Sequence, residues 1–442
     1  MKTTDLKLYK GNIFYFNENI TLKDFSPDKE APGRLYHYIE NGLLAVENGK
    51  IKAVGDYDTC IKDFQDAQII DYSGKMITPG FVDTHLHVTQ SGIVAAYGEK
   101  LLEWLNNYVF PCEAAYHDDL AARIDINFFL KELIKNGTTT ACGYGPLKYK
   151  ATDILFEELS RRNMRFITGN TMQDRNSPKY LSLPAKENYE IAREIILKWH
   201  NKGRLSYAIT PRFAFSSSEE LLGLAGALKM EFPDLYIQSH IDENFAEIEG
   251  IKKLFPWSKN YLDVYDRFGL ATDKTIFGHC LHLTEDEYEG MRDKKVIISC
   301  CPISNSFLGS GLFNFRKMME FTDRITLGSD WGAGNTLSML AVLDEFYKIS
   351  MLQDFKVYSM TRWFLATLGA AKSLGLSDFI GSFKPGKEAD FIIIDPKATE
   401  LLSYRSARVK NIYELLFVLM TLGDSSLIEE TYIYGQSMKG FE

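Results

Sequence analysis

Between residues 76 and 330, short apolar runs alternate with longer stretches in which apolar residues recur at helical spacing, the pattern of repeated βα units around a parallel sheet. The runs predict strands at Ile77–Thr84, Thr138–Cys142, Arg165–Gly169, Leu205–Thr210, Tyr236–His240, Thr275–His279, Val296–Cys300 and Arg324–Gly328. Eight such units close a (β/α)8 barrel of the TIM type, whose active sites lie at the C-terminal ends of the strands. Between the strands, Asp118 and Asp119 are placed to cap a helix through Leu120 to Lys135, with Ile124, Phe128, Leu130 and Ile134 as its apolar stripe and Asn136-Gly137 as its stop. Ser216-Ser217-Ser218-Glu219 opens a helix through Leu221, Leu222, Leu224 and Leu228, and Thr284-Glu285-Asp286-Glu287 reads as a capping box.

The two ends of the chain are patterned differently. Leu6–Tyr15 and Leu43–Val54 read as strands, the second folded about Asn48-Gly49, a hairpin signal. Ala389–Asp395 and Thr431–Tyr434 supply further strands near the C-terminus. The expected architecture is therefore α/β: a barrel at 76–380 inserted into a small composite β-sandwich contributed by residues 1–75 and 381–442.

A chain of 442 residues is too long for one ordinary core but suits a large barrel with a smaller domain. Its net charge of -9 would repel a nucleic-acid backbone, so a small molecule is the expected partner. No apolar run has the length of a membrane span or a signal-peptide core, and the expected location is cytoplasmic, away from membranes. The six cysteines are scattered without a C-x-x-C pair, which suits a reducing compartment. Pro111-Cys112-Glu113-Ala114-Ala115 also fails the P-C-x-x-C signature of deaminases that hold zinc on cysteines.

The candidate chemistry sits where the predicted strands end. In His85-Leu86-His87 the two imidazoles lie two residues apart on a strand and point the same way, so both can bind one ion. His240 closes the strand Tyr236–His240 as a third candidate ligand, and Glu243 follows it into the loop. His279 and Asp330 lie at or just beyond the ends of two further strands. His279 is read as a further ligand or as a hydrogen-bond partner of an activated water, and Asp330 as a carboxylate able to bind the metal and to take a proton. Neutral imidazole and carboxylate oxygen are the usual ligands of a catalytic divalent ion, which lowers the pKa of water towards neutrality. Zinc and iron both suit this donor set. The strand Leu205–Thr210 carries no lysine that a carboxylation could turn into a bridge between two metals, which favours a single ion.

At this point the chain resembles the amidohydrolase superfamily and, within it, the guanine deaminases. Pro79-Gly80-Phe81-Val82-Asp83-Thr84-His85-Leu86-His87 is similar to the superfamily's first-strand signature. Leu101–Pro111, Asn136–Thr140, Thr210-Pro211-Arg212-Phe213 and Cys301–Gly311 resemble segments of the deaminase branch. The resemblance implies hydrolytic deamination of guanine to xanthine and ammonia by a metal-activated hydroxide, in a homodimer. It implies one divalent ion, Zn2+ or alternatively Fe2+, held by His85, His87, His240 and Asp330, with Glu243, His279 and Asp330 as catalytic groups. Gln90, Arg212 and Phe213 would bind the purine: an amide for the base edge, a rigid donor fork for a carbonyl and an apolar wall. The alternatives are a metal-dependent hydrolase of another ring, such as an oxidised guanine, a pterin or a triazine, and a non-catalytic relative using the barrel as a scaffold. The chain departs from the family at Trp331-Gly332-Ala333-Gly334, at Ser217 and at Gly423-Asp424-Ser425-Ser426. Of these, Trp331 is placed to narrow or reshape the pocket.

Overall fold

The computed structural model describes residues 5–26, 28–64, 67–98 and 100–441. It divides into two compact units: Met1–Val82 with Lys131–Thr140 and Ser338–Glu442, and Asp83–Leu130 with Ala141–Leu337.

In the first unit, four strands come from the N-terminal part of the chain: β1 (Leu6–Phe16), β2 (Tyr36–Glu47), β3 (Lys50–Asp56) and β4 (Gln68–Pro79). The turn between β2 and β3 is Asn48-Gly49, both residues at positive φ, as a tight hairpin requires. The second unit carries most of the barrel: β5 (Phe81–His87), β6 (Thr138–Gly145), β7 (Arg165–Met172), β8 (Leu205–Pro211), β9 (Tyr236–Ile241), β10 (Thr275–His279), β11 (Ile297–Cys300) and β12 (Ile325–Leu327). The C-terminal segment returns as β13 (Phe391–Ile394), β14 (Ile428–Ile433) and β15 (Gln436–Ser437). These join the first four strands in one sheet, ordered β15-β14-β13-β4-β1-β2-β3. Both ends of the chain contribute to its core, with Tyr9, Ile13 and Leu44 packed among Ile77, Phe391, Ile393 and Tyr432.

The apolar run expected to form a single strand at Ile77–Thr84 is two strands. Residues 76–79 belong to the terminal sheet, where Ile77 pairs with Ile393. At Gly80 the chain changes sheets: the Gly80 N–H donates to the Asp390 carbonyl and the Phe81 N–H to the Gly137 carbonyl. Residues 76–79 and the whole of β5 are buried on both faces, so neither shows the alternation that would mark the break.

The barrel strands run in the sequential order β5 to β12, with parallel pairing in register between β7 and β8, β8 and β9, β9 and β10, β10 and β11, and β11 and β12. First and last strands meet through side chains and loop backbone. Thr84 Oγ1 lies 2.7 Å from Thr326 Oγ1 and donates to the Leu327 carbonyl at 3.0 Å, while the Asp330 N–H donates to the His85 carbonyl at 2.9 Å. Closure therefore places His85 and Asp330 side by side.

Three helix starts obey their sequence signals. Asp118 accepts from the Ala121 N–H ahead of the helix Asp119–Lys135, Ser218 caps Glu219–Glu231 through the Leu221 N–H, and Thr284 and Glu287 form the capping box of Glu285–Lys294. The stripe assigned to Asp119–Lys135 is displaced, however. Leu130 and Ile134 are buried as expected, but Ile124 and Phe128 are exposed, and Ala122, Ile126, Phe129 and Leu133 complete the buried face. The helix is apolar around much of its circumference, so spacing alone left the inward face undecided. Among the described residues no helix is long and apolar enough to cross a membrane.

Candidate active site

His85 and His87 point inward from the end of β5. Their neighbours make room for them: a side-chain carbon added at Gly278 would lie 2.4 Å from the His85 ring, and one at Gly328 would lie 2.6 Å from His85 Cβ. The imidazoles of His85, His87 and His240 each bring a nitrogen to within 4.8 Å of the others. Asp330 Oδ1 lies 3.5 Å from His85 Nε2 and 3.4 Å from His87 Nε2, while His87 Nε2 and His240 Nε2 are 3.2 Å apart.

Two of the rings have their orientation fixed by a partner. His240 Nδ1 lies 2.6 Å from the Arg212 carbonyl, which can only accept, so Nδ1 carries the proton and Nε2 keeps its lone pair. His279 Nδ1 is held in the same way by Asn305 Oδ1 at 2.8 Å, and its Nε2 faces Glu243 at 3.4 Å and Asp330 at 3.8 Å. His279 and Asp330 both take left-handed backbone conformations, with φ of 71° and 49°, where a non-glycine residue is strained. The Gly334 N–H donating to the Asp330 carbonyl at 2.7 Å holds the latter turn in place.

All these groups are buried, and burial competes with their charged neighbours to set their protonation. It raises the Glu243 carboxyl, against the opposing charge of His279 and a hydrogen bond from Ser310 Oγ at 3.1 Å. Burial would also raise Asp330, but its contact with His85 and the charges of His85, His279 and His87 carry it well below the usual carboxylate range. For His279 burial works downward and is outweighed by Glu243 and Asp330, which leave the imidazole raised. His87 and His240 are held well below their ordinary value by burial.

The donor set fits a divalent metal. Among the described residues, His85 Nε2 and Asp330 Oδ1 are buried without a hydrogen-bond partner, an expensive arrangement unless something else satisfies both atoms. Neutral nitrogens and a carboxylate oxygen converging from separate strand ends are what such an ion requires.

Beside this cluster lies a pocket with about 360 Å³ of space, counting its mouth. His87, His240, Glu243, His279 and Asp330 line one part of it, and Gln90, Arg212 and Phe213 another, with Leu101, Trp104, Leu105 and Leu308 as apolar cover. Every residue given a metal-binding, catalytic or substrate-binding role in the sequence thus lies in the cluster or lines this pocket. Leu101, Trp104 and Leu105 sit where a short helix passes into a wider π-helical turn, Leu105–Val109, ahead of Pro111.

Three features were not read from the sequence. Arg212 is already paired: its Nη1 donates to both carboxylate oxygens of Glu113, at 2.9 and 3.0 Å. Ser310 orients Glu243, and Cys301 brings its sulfur up to His85, His279 and Asp330, where burial raises its thiol far above the usual range. Glu113 lies 99 residues from Arg212, beyond the reach of any local pattern. Trp331, expected to shape the pocket, turns away from it: its indole N–H donates to Ser91 Oγ at 3.0 Å, and Ala333 lines the pocket in its stead.

Comparison with known proteins agrees with this geometry. The amidohydrolase family model matches residues 76–435. The guanine deaminase of Escherichia coli K12 is 46% identical over 98% of this chain and 97% of its own length. A solved structure of E. coli guanine deaminase superposes with a TM-score of 0.94 at 44% identity, covering 98% of this chain and 99% of that one. A guanine deaminase from C. acetobutylicum, solved with guanine bound in its active site, gives a TM-score of 0.88 at 30% identity, again covering 98% and 99%. The parallel barrel and the terminal sheet are thus shared with known enzymes, and the chain belongs to the amidohydrolase family, among its guanine deaminases.

Proposed function

We propose that this protein hydrolyses guanine to xanthine and ammonia in the pocket described above. The observation that carries the proposal is the meeting, in one buried pocket, of a metal-suited cluster and proton-transfer groups with a guanidinium and an amide suited to a purine edge. His85, His87, His240 and Asp330 would hold one divalent ion, which we assign as Zn2+ with Fe2+ as the alternative. Such an ion supplies a Lewis-acidic centre that makes hydroxide available at neutral pH.

The protein's own groups divide the remaining work. Asp330, low in pKa, accepts the proton of the attacking water. Glu243, whose carboxyl is raised by burial, is suited to hold a proton near neutrality, deliver it to the ring nitrogen beside C2 and then help protonate the departing amine. The oxygen of water thereby replaces the amino group at C2, and ammonia leaves. His279, with Nδ1 committed to Asn305, directs Nε2 at the reacting centre and stabilises the charge that develops there. On Arg212 only Nη1 is engaged among the described residues, so Nε and Nη2 remain to donate to the purine carbonyl. Phe213 and the apolar residues around Trp104 exclude water from the ring.

The acidic chain with only free cysteines among its described residues supports a cytoplasmic location, and we assign a homodimer on the likeness to the family. Ammonia release from a panel of purines, pterins and triazines tests the function. Guanine is expected to give the highest kcat/KM; turnover of a pterin or triazine with none of guanine would refute the assignment.

A further inference from the structure

We infer that Glu113 is a positioning residue that sets the hydrogen-bond polarity of the purine-recognising part of the pocket and so selects for a ring carbonyl beside a donor edge. The inference rests on the reading of this pocket as a purine site.

Glu113 lies on the short helix Phe110–Ala114 and is buried, its side chain 10% exposed. Besides the two contacts from Arg212 Nη1, its Oε1 accepts from Gln90 Nε2 at 3.0 Å and from Thr89 Oγ1 at 3.4 Å. The arrangement has a chemical consequence for Gln90. A carboxylate accepts and never donates, so the amide must turn its NH2 towards Glu113. Rotating the amide by half a turn would bring two oxygens to hydrogen-bond distance with no proton between them. Gln90 Oε1 is accordingly the free end of the amide: it is buried, has no hydrogen-bond partner among the described residues and belongs to a residue that lines the pocket.

The same carboxylate fixes the guanidinium. With Nη1 committed to Glu113, the plane of Arg212 is set and its remaining N–H groups form the donor end of the pocket. One buried residue therefore writes both letters of a recognition edge, a donor from Arg212 and an acceptor from Gln90. Guanine presents the complement, with a carbonyl at C6 and N–H groups at N1 and C2. 2,6-Diaminopurine keeps the amine at C2 but offers an amine at C6, so that donor would meet donor. Glu113 does not itself line the pocket; it acts through Gln90 and Arg212, which do.

The test is the ratio of kcat/KM for guanine to that for 2,6-diaminopurine, read by ammonia release with the metal-loaded full-length chain. In Glu113→Gln the amide cannot accept from Arg212 and Gln90 with both of its atoms, and the ratio is expected to fall about tenfold or more, chiefly through KM for guanine, with metal content unchanged. Glu113→Asp keeps the charge but withdraws it by one methylene. It is expected to give an intermediate ratio, and it carries the test if Glu113→Gln is poorly folded. A generally damaged fold lowers both activities together, so a ratio within about twofold of the parent in a folded variant would overturn the inference, whatever happens to the absolute rates. A parent that does not turn over guanine would refute the proposed function instead, and the two failures are distinguishable in one experiment.

Discussion

Two sets of polar groups meet at the pocket and differ in how they are satisfied. At the strand ends, His85 Nε2 and Asp330 Oδ1 have no hydrogen-bond partner among the described residues, although both are buried, and His87 and His240 turn their nitrogens towards each other. In the recognition part the polar groups are already bonded together, with Glu113 joining Arg212, Gln90 and Thr89. The first set is in debt by a cation, since buried lone pairs aimed at one point repel until something positive lies between them. The second is electrostatically complete by itself and offers only its outward donors and acceptor. One set therefore depends on what it binds, whereas the other is rigid before anything arrives and so reads shape and polarity at little cost in ordering.

Removing the cation breaks the first set outright. Chelation, or His240→Ala, should abolish ammonia release, by about 10³-fold or more, with metal content falling in the variant and activity of the chelated parent returning on addition of Zn2+ or Fe2+. Full activity in metal-free protein would show that the strand-end cluster is structural. The next largest effect should come from Glu243→Gln, which leaves the donor set intact. Turnover should fall by about 10²-fold or more while metal content and substrate binding stay near those of the parent, because an amide cannot pass protons. Turnover within a few-fold of the parent would remove Glu243 from the mechanism.

The second set should respond differently. Arg212→Ala deletes the donor end of the recognition edge and leaves Glu113 buried without its cation, at a cost of about 2 kcal/mol or roughly 30-fold in kcat/KM for guanine. Metal content should not change, and the loss should fall mainly on KM. Arg212→Lys should recover part of it, since an ammonium can sit beside Glu113 but cannot donate as a fixed fork. If Arg212→Ala instead releases the metal, through the His240 ring that hangs on the Arg212 carbonyl, the two sets are one and the contrast drawn above fails.

The same contrast decides what could be read from the sequence. His85, His87, His240, His279 and Asp330 each end an apolar run, and barrel geometry brings strand ends together whatever lies between them, so the cluster was legible from periodicity alone. Gln90, Arg212 and Phe213 sit in the segments that follow strands and emerged only through the likeness to a family. Glu113 carries no local signal, because its partners are 23, 24 and 99 residues away and its own segment, Pro111–Ala115, shows only a failed cysteine motif. The sheet change at Gly80 and the outward turn of Ile124 and Phe128 are illegible for a related reason: where apolar residues face more than one way, composition no longer says which neighbour each of them meets.

The smallest effect on activity, and the last prediction, concerns what stands behind the strand-end set. Glu247 is fully buried, accepts from the Glu243 N–H at 3.2 Å and from the Tyr261 hydroxyl at 2.7 Å, and its carboxyl is pushed up to about 7, by burial first and then by the charge of Glu243. The native protein thus holds this proton more tightly than the unfolded chain, where the group titrates near 4.5. Its contribution to stability is complete below the unfolded value and is lost as the pH rises from there through 7, an effect on the order of 3 kcal/mol at most. Glu247→Gln mimics the protonated acid at every pH: its carbonyl can keep the backbone N–H, and its NH2 can donate to Tyr261 once that hydroxyl turns to accept. The variant should keep kcat within a few-fold of the parent, and its stability relative to the parent should grow between pH 5 and about 7 and level off above that range. Denaturant melts of both proteins across that range decide the matter. A difference that stays flat with pH would mean that Glu247 is already ionised in the folded protein, and that the excess of buried negative charge around Glu243 is balanced by some other group.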